Sequence, residues 1–160
     1  MTKQFLQNPS IECLDEIKLV GFRILCEGTQ YVNEIPKVAN HLNERLSEIK
    51  NVLNPFVQFG AFVVDSLSEN QDGYWVCMQV KEYEEIPEGM VTLTVPPQKY
   101  IVWRHKGPNL KIRDAYERLH SWMEANGYER QLDKWHLERF HSWNYTENVD
   151  VELLDTVKID

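Results

Sequence analysis

The chain is poor in cysteine, in clustered positive charge and in long apolar runs. Its three cysteines, Cys13, Cys26 and Cys77, form no Cys-x-x-Cys pair. An odd, scattered set excludes a disulfide framework and a zinc ribbon, and points to reduced thiols. No apolar run approaches the ~18 residues of a membrane span, and the first residues lack a signal-peptide core. A cytoplasmic protein without membrane contact is therefore expected. Lysine and arginine number 17 against 25 acidic residues, for a formal charge of −8. Acid gathers in two stretches, Asp65 to Glu88 and Glu147 to Asp160, each holding a single lysine. They read as solvated faces, and no phosphate-binding surface is visible, so direct nucleic-acid binding is not expected.

Catalytic signatures are missing too. There is no Gly-x-Ser-x-Gly, no phosphate loop and no dinucleotide fingerprint. His136 and His141 lie five apart on a strand-like segment and should face opposite ways. His120 has only Glu117 and Glu124 at helical spacing, and no His-Glu-x-x-His occurs. No metal and no cofactor is expected.

What the chain does have is aromatic rings and two periodic helices. Five tryptophans and seven tyrosines are many for 160 residues, which favours a site built from rings. Ile35, Val38, Ala39, Leu42, Leu46 and Ile49 form one helical stripe, with Pro36 in a first-turn position. Ile112, Ala115, Tyr116, Leu119, Trp122 and Met123 form a second, closed by Asn126-Gly127. Strands are expected at 17–26, 56–64, 74–83, 90–95, 100–105, 134–140 and 149–157, and residues 1–16 could add an edge strand. The order is strand, helix, strand, strand, twice over. Asn43-Glu44-Arg45-Leu46 and Tyr116-Glu117-Arg118-Leu119 strengthen the impression of a repeat. An α+β fold follows: one domain over 1–160, of two modules at about 17–83 and 90–157, with pseudo-twofold symmetry, an antiparallel sheet and two long helices. A groove between the modules is the natural ligand site.

Glu138 is the leading candidate within it. It shares a strand face with His136 and Phe140. A carboxylate among rings is costly to ionise unless something positive compensates. Arg104, Arg139 or Lys134 could do so from within the protein, and a cationic ligand could do so from outside. Tyr100, Trp103, Phe140, Trp143 and Tyr145 are candidate groove walls. Tyr116 and Trp122, on the helix stripe, read as core.

A run of short motifs adds to this. Pro87-Glu88-Gly89, Val95-Pro96, His105-Lys106-Gly107, Asn126-Gly127-Tyr128 and Glu138-Arg139-Phe140 occur in order. The pattern resembles the GyrI-like small-molecule-binding family, which also supplies effector-binding domains to AraC-type and MerR-type transcription regulators. The likeness is clear over 86–145 and looser over 17–83. It departs at Phe140, where tyrosine is usual. The resemblance implies paired modules, a ligand groove between them, and Glu138 on its floor facing lipophilic cations. It adds Tyr31, Phe59 and Trp75 as groove candidates from the first module. It also implies alternatives: a hydrolase of cyclopropane-type toxins in which Glu138 activates water, or a protein-interaction module with gyrase or a DNA-binding regulator as partner. A binding protein is expected ahead of an enzyme.

Overall fold

The computed structural model describes residues 8–142 and 147–158. Eight strands and two α-helices follow one another along the chain. They are β1 (Ser10–Leu14), β2 (Ile17–Ile24), α1 (Tyr31–Glu44), β3 (Gln58–Val63), β4 (Tyr74–Val80), β5 (Val91–Val95), β6 (Gln98–Gly107), α2 (Ile112–Ala125), β7 (Trp135–Ser142) and β8 (Val149–Val157). All strands join one antiparallel sheet in the order β1-β6-β8-β7-β3-β4-β2-β5.

The expected modules are β2-α1-β3-β4 and β6-α2-β7-β8, meeting at the β3–β7 pair. Each is preceded by a strand that pairs with the other half: β1 with β6, β5 with β2. The first strands and helix of the two halves start 81 residues apart: 91 against 10, 98 against 17, and 112 against 31. That offset corrects the motif-based repeat, whose spacing was 73. Arg45 caps the end of α1 and Leu46 lies in the next turn, whereas Tyr116–Leu119 is mid-α2. The duplication is in the order of elements, and the four-letter likeness is incidental to it.

Two short links set the sheet's shape. β1 and β2 sit six strand spacings apart, about 29 Å in a flat sheet at ~4.8 Å per spacing. Only Asp15 and Glu16 join them, a reach of at most about 11 Å from Leu14 to Ile17. β5 and β6 are joined as briefly, by Pro96-Pro97. The sheet must therefore curl until its ends meet. The pairing says the same: Leu14 faces Gln98 and Ile17 faces Val95, so the register runs unbroken through the corner. The prolines, which donate no ladder hydrogen bond, sit where the ladder is interrupted.

Curling buries the concave face without any helix. Leu19, Ala61, Cys77, Tyr100, Leu137 and Leu154 are fully buried there, in one cluster with Phe59 and Trp75. The other face carries both helices. α1 lays Ala39 and Leu42 on Val20, Ile24, Val76 and Met78. α2 lays Ala115, Leu119 and Met123 on Ile101, Val151 and Leu153. These are the residues of the two stripes, one helical turn apart. α1 begins at Tyr31, so Pro36 lies inside it and not in its first turn. The carbonyl it leaves unpaired belongs to Val32, which is exposed to water. α2 ends as expected, with the Tyr128 amide donating to the Met123 carbonyl at 2.9 Å and Tyr128 stacking on Trp122.

Gly21 marks a close approach of two strand backbones. A Cβ there would stand 2.1 Å from the Val76 carbonyl oxygen and 2.6 Å from Cys77 Cα. Both are backbone and cannot step aside. Gly21→Ala is expected to lower the unfolding free energy by about 2–3 kcal/mol, measurable as a fall in the urea midpoint at unchanged slope.

Candidate functional site

The candidate site lies on the helical face, at the β3–β7 seam where the two halves meet. Its centre is Glu138, 6 % exposed. Glu138 faces Gly60 directly across the seam. Two phenols hold the carboxylate. Tyr74, from β4, donates its hydroxyl to Oε1. Tyr116, from α2, donates to Oε2 at 2.6 Å. Both halves of the molecule thus converge on one group.

Gly60 makes that convergence possible. A Cβ at this position would lie 1.8 Å from the Tyr74 hydroxyl oxygen. The missing side chain is the passage through which Tyr74 reaches over β3 to Glu138. Phe62 backs the arrangement. It stacks on Tyr74 with centroids 6.0 Å apart and on His136 at 5.3 Å, and meets Tyr116 edge-on at 6.4 Å.

Burial raises the Glu138 pKa, against the Tyr116 and Tyr74 hydrogen bonds and the nearby His136, which favour ionisation. Burial, then the Glu138 charge itself, drives Tyr74 and Tyr116 well above the usual tyrosine range. Both phenols therefore keep their protons and act as donors. The pairing that could have neutralised Glu138 from within goes elsewhere. Arg104 binds Asp150 at 2.7 Å, and Arg139 binds Glu12 and Glu152.

Beside this centre an open recess enters between α1 and the turn before α2. Ile35, Pro36 and Ala39 form one wall, Phe140, Val149 and Asn109 the other, and Gln58, Tyr74 and Val76 the floor. The Gln58 amide is occupied, donating to the Ala39 carbonyl at 2.9 Å.

The family's sequence profile, that of the GyrI-like small molecule binding domain, matches residues 7–157. This chain belongs to the GyrI-like family. The transcriptional regulator BrlR of Pseudomonas aeruginosa is 33 % identical over 90 residues, which cover 56 % of this chain and 31 % of that protein. The chain thus matches about a third of the regulator's length. Among solved structures, SAV2435 bound to tetraphenylphosphonium superposes with a TM-score of 0.70 at 14 % identity, covering 95 % of this chain and 94 % of the other. The C-terminal domain of EcmrR gives 0.68 at 20 % identity, covering 97 % and 99 %. These likenesses establish the GyrI-like fold.

Within that fold the ring candidates separate. Phe140 lines the recess. Tyr31 opens α1 and packs with its cluster. Trp103 packs against the α2 cluster, under the Arg118 guanidinium at 5.3 Å. Tyr100 and Trp75 do not share the groove with Glu138: they lie in the concave core, where Trp75 meets Trp135 edge-on at 5.0 Å. Phe59 belongs to the same core and also borders the recess. Alternation explains the split, because Phe59, Trp75 and Tyr100 have the opposite strand parity to Glu138's face. Trp143 and Tyr145 lie outside the described residues.

Three groups escaped the sequence reading. Tyr116 reads as core from its stripe, yet its hydroxyl reaches the carboxylate. Tyr74 reads only as the first residue of the strand expected at 74–83. A signal for both was present in Gly60, since a glycine inside a strand marks close approach. The third is Asp155, in a tail that reads as solvated. It is fully buried, with His120 Nε2 at 2.6 Å, His136 Nε2 at 3.0 Å and Arg130 Nε at 3.2 Å. Burial alone would raise its pKa; the bonds from His120 and His136 and the Arg130 charge outweigh that and hold it well below the usual carboxylate range.

The two buried carboxylates have opposite linkage. Asp155, depressed on folding, contributes stability above its unfolded pKa that is lost as pH falls through its folded value. Glu138, raised on folding, favours the folded state at low pH and loses that contribution as pH rises through its folded value. Asp155→Asn is expected to cost about 1–3 kcal/mol at neutral pH, because it takes the buried acceptor away from Arg130 and from the His120 and His136 rings. Glu138→Gln is expected to raise the thermal midpoint at neutral pH and to leave it unchanged near pH 4, as read by thermal denaturation across pH.

Proposed function

We propose that this GyrI-like chain binds an amphiphilic, aromatic cation in the recess between its halves, with Glu138 as the buried counter-charge. One observation carries the reading. Glu138 is buried beside an uncharged recess, and its hydrogen-bond partners are two neutral phenols. Folding alone gains nothing from such an arrangement, because a burial that raises the pKa opposes ionisation. A bound cation supplies the missing compensation. Rings at the site, Tyr74 and Phe140, suit a flat or multi-ring partner through stacking and cation–π contact. That a protein of the same fold holds tetraphenylphosphonium supports the choice of a lipophilic cation.

The output of binding is read from the family. Its members include transcriptional regulators, so the ligand-loaded module passes its state to a DNA-binding partner. Among the described residues both α-helices are packed on the sheet, and neither is free to enter a DNA groove.

Titration with a panel of planar cations, neutral isosteres and anions, followed by tryptophan fluorescence and thermal shift, tests this. Saturable binding confined to the cations is expected, weakened about tenfold or more in Glu138→Gln. Affinity should rise with pH as Glu138 ionises. Binding that ignores ligand charge would remove the counter-charge role. Turnover of a strained-ring electrophile, lost in Glu138→Gln, would replace it with a hydrolase in the same groove.

A further inference from the structure

The recess and the carboxylate are neighbours that do not meet. Among the described residues every side chain lining the recess is uncharged, and Glu138 is not one of them. Tyr74 stands between the two. It lines the recess, and its hydroxyl is committed to Glu138 Oε1. The second oxygen is covered by Tyr116 at 2.6 Å. Phe62 stacks against the Tyr74 ring, and the gap left by Gly60 fixes where the hydroxyl lies.

We propose that Tyr74 presents the charge of Glu138 to the ligand: the cationic end rests against the Tyr74 ring, and no direct ion pair with the carboxylate forms. This rests on the cation reading above and names the group that makes the contact. The physical grounds are a comparison of bonds. A quaternary cation reaching Glu138 would have to displace phenol hydrogen bonds to an ionised group, which are among the stronger kind. It carries no N–H or O–H with which to replace them. Left in place, the Tyr74 hydroxyl donates to an anion and its ring becomes a richer electron source. A cation on that ring gains the cation–π attraction and the field of Glu138 across a dry wall. Tyr74 then sets selectivity for charge, while the uncharged walls set selectivity for shape.

The experiment compares tetraphenylphosphonium with neutral triphenylphosphine oxide by calorimetry, on the wild-type chain, Tyr74→Leu, Glu138→Gln and the double variant. Each single change is expected to cut the preference for the cation about tenfold or more, and the double variant to cut it no further. A Tyr74→Leu protein that keeps or gains cation preference, while Glu138→Gln still abolishes it, would show that the carboxylate makes the contact itself. Should Tyr74→Leu fail to fold, Tyr74→Phe keeps the ring and removes the donor. Cation affinity in that variant is then expected to reach its plateau at higher pH than in the wild type, because Glu138 has lost a bond that favours its ionised form. An unchanged pH profile would overturn the proposal. A wild-type chain that binds neither probe saturably would reject the cation reading itself, an outcome distinct from one in which only the Tyr74 variants behave as wild type.

Discussion

Everything in this fold is downstream of two links that are too short. Asp15-Glu16 and Pro96-Pro97 each join strands that a flat sheet would hold far apart. The backbone has no conformation that spans the gap, so the sheet curls. Curling decides which face closes on itself and which is left to the helices. It also lets β1 and β5 continue into the neighbouring half without loss of register. The groove exists because two helices cover the outer face of a curled sheet and leave its central seam between them.

The seam then holds what a stable core would avoid. A hydrocarbon pair at Gly60 and Glu138 would pack at least as well and would desolvate no charge. Instead, β3 gives up its side chain, Tyr74 leans across the vacancy, and Tyr116 reaches down from α2. Asp155, two strand positions beyond the neighbouring Leu153, offers the contrast. It too is a buried carboxylate, but two histidines and an arginine answer it from within the protein. Arg130 and two imidazoles surround Asp155, whereas two neutral phenols hold Glu138.

Most of the architecture could be read along the chain because its signals are local. The two stripes and the expected strand at 74–83 each report on a few neighbouring residues, and each corresponds to an observed element. Glu138 was visible as well, as an acidic residue between aromatic positions. Its partners were not. Tyr116 is 22 residues away and Tyr74 is 64, and no local period encodes contacts of that range. Ring chemistry suggests Tyr100 for the groove and the family resemblance suggests Phe59 and Trp75, but strand parity places all three in the concave core. Asp155 was misjudged because a run of acidic residues looks solvated when only its composition is considered. The alternation of β8 places Asp155 on the helical face, where His120 arrives from α2 and His136 from β7, residues far from it in the sequence.

The pairing of Gly60 with Glu138 has one more consequence. Here two halves of like topology meet across a pair of antiparallel strands, and residues opposite one another at such a seam stand about 5 Å apart at their Cβ atoms. An acid at position 60 would therefore face the acid at position 138. Two carboxylates at that distance cannot both stay ionised in a dry site; one would hold a proton and the pair would carry a single charge. The vacancy at Gly60 breaks the tie. A doubled scaffold acquires one polarity from a single side chain kept on one half and dispensed with on the other.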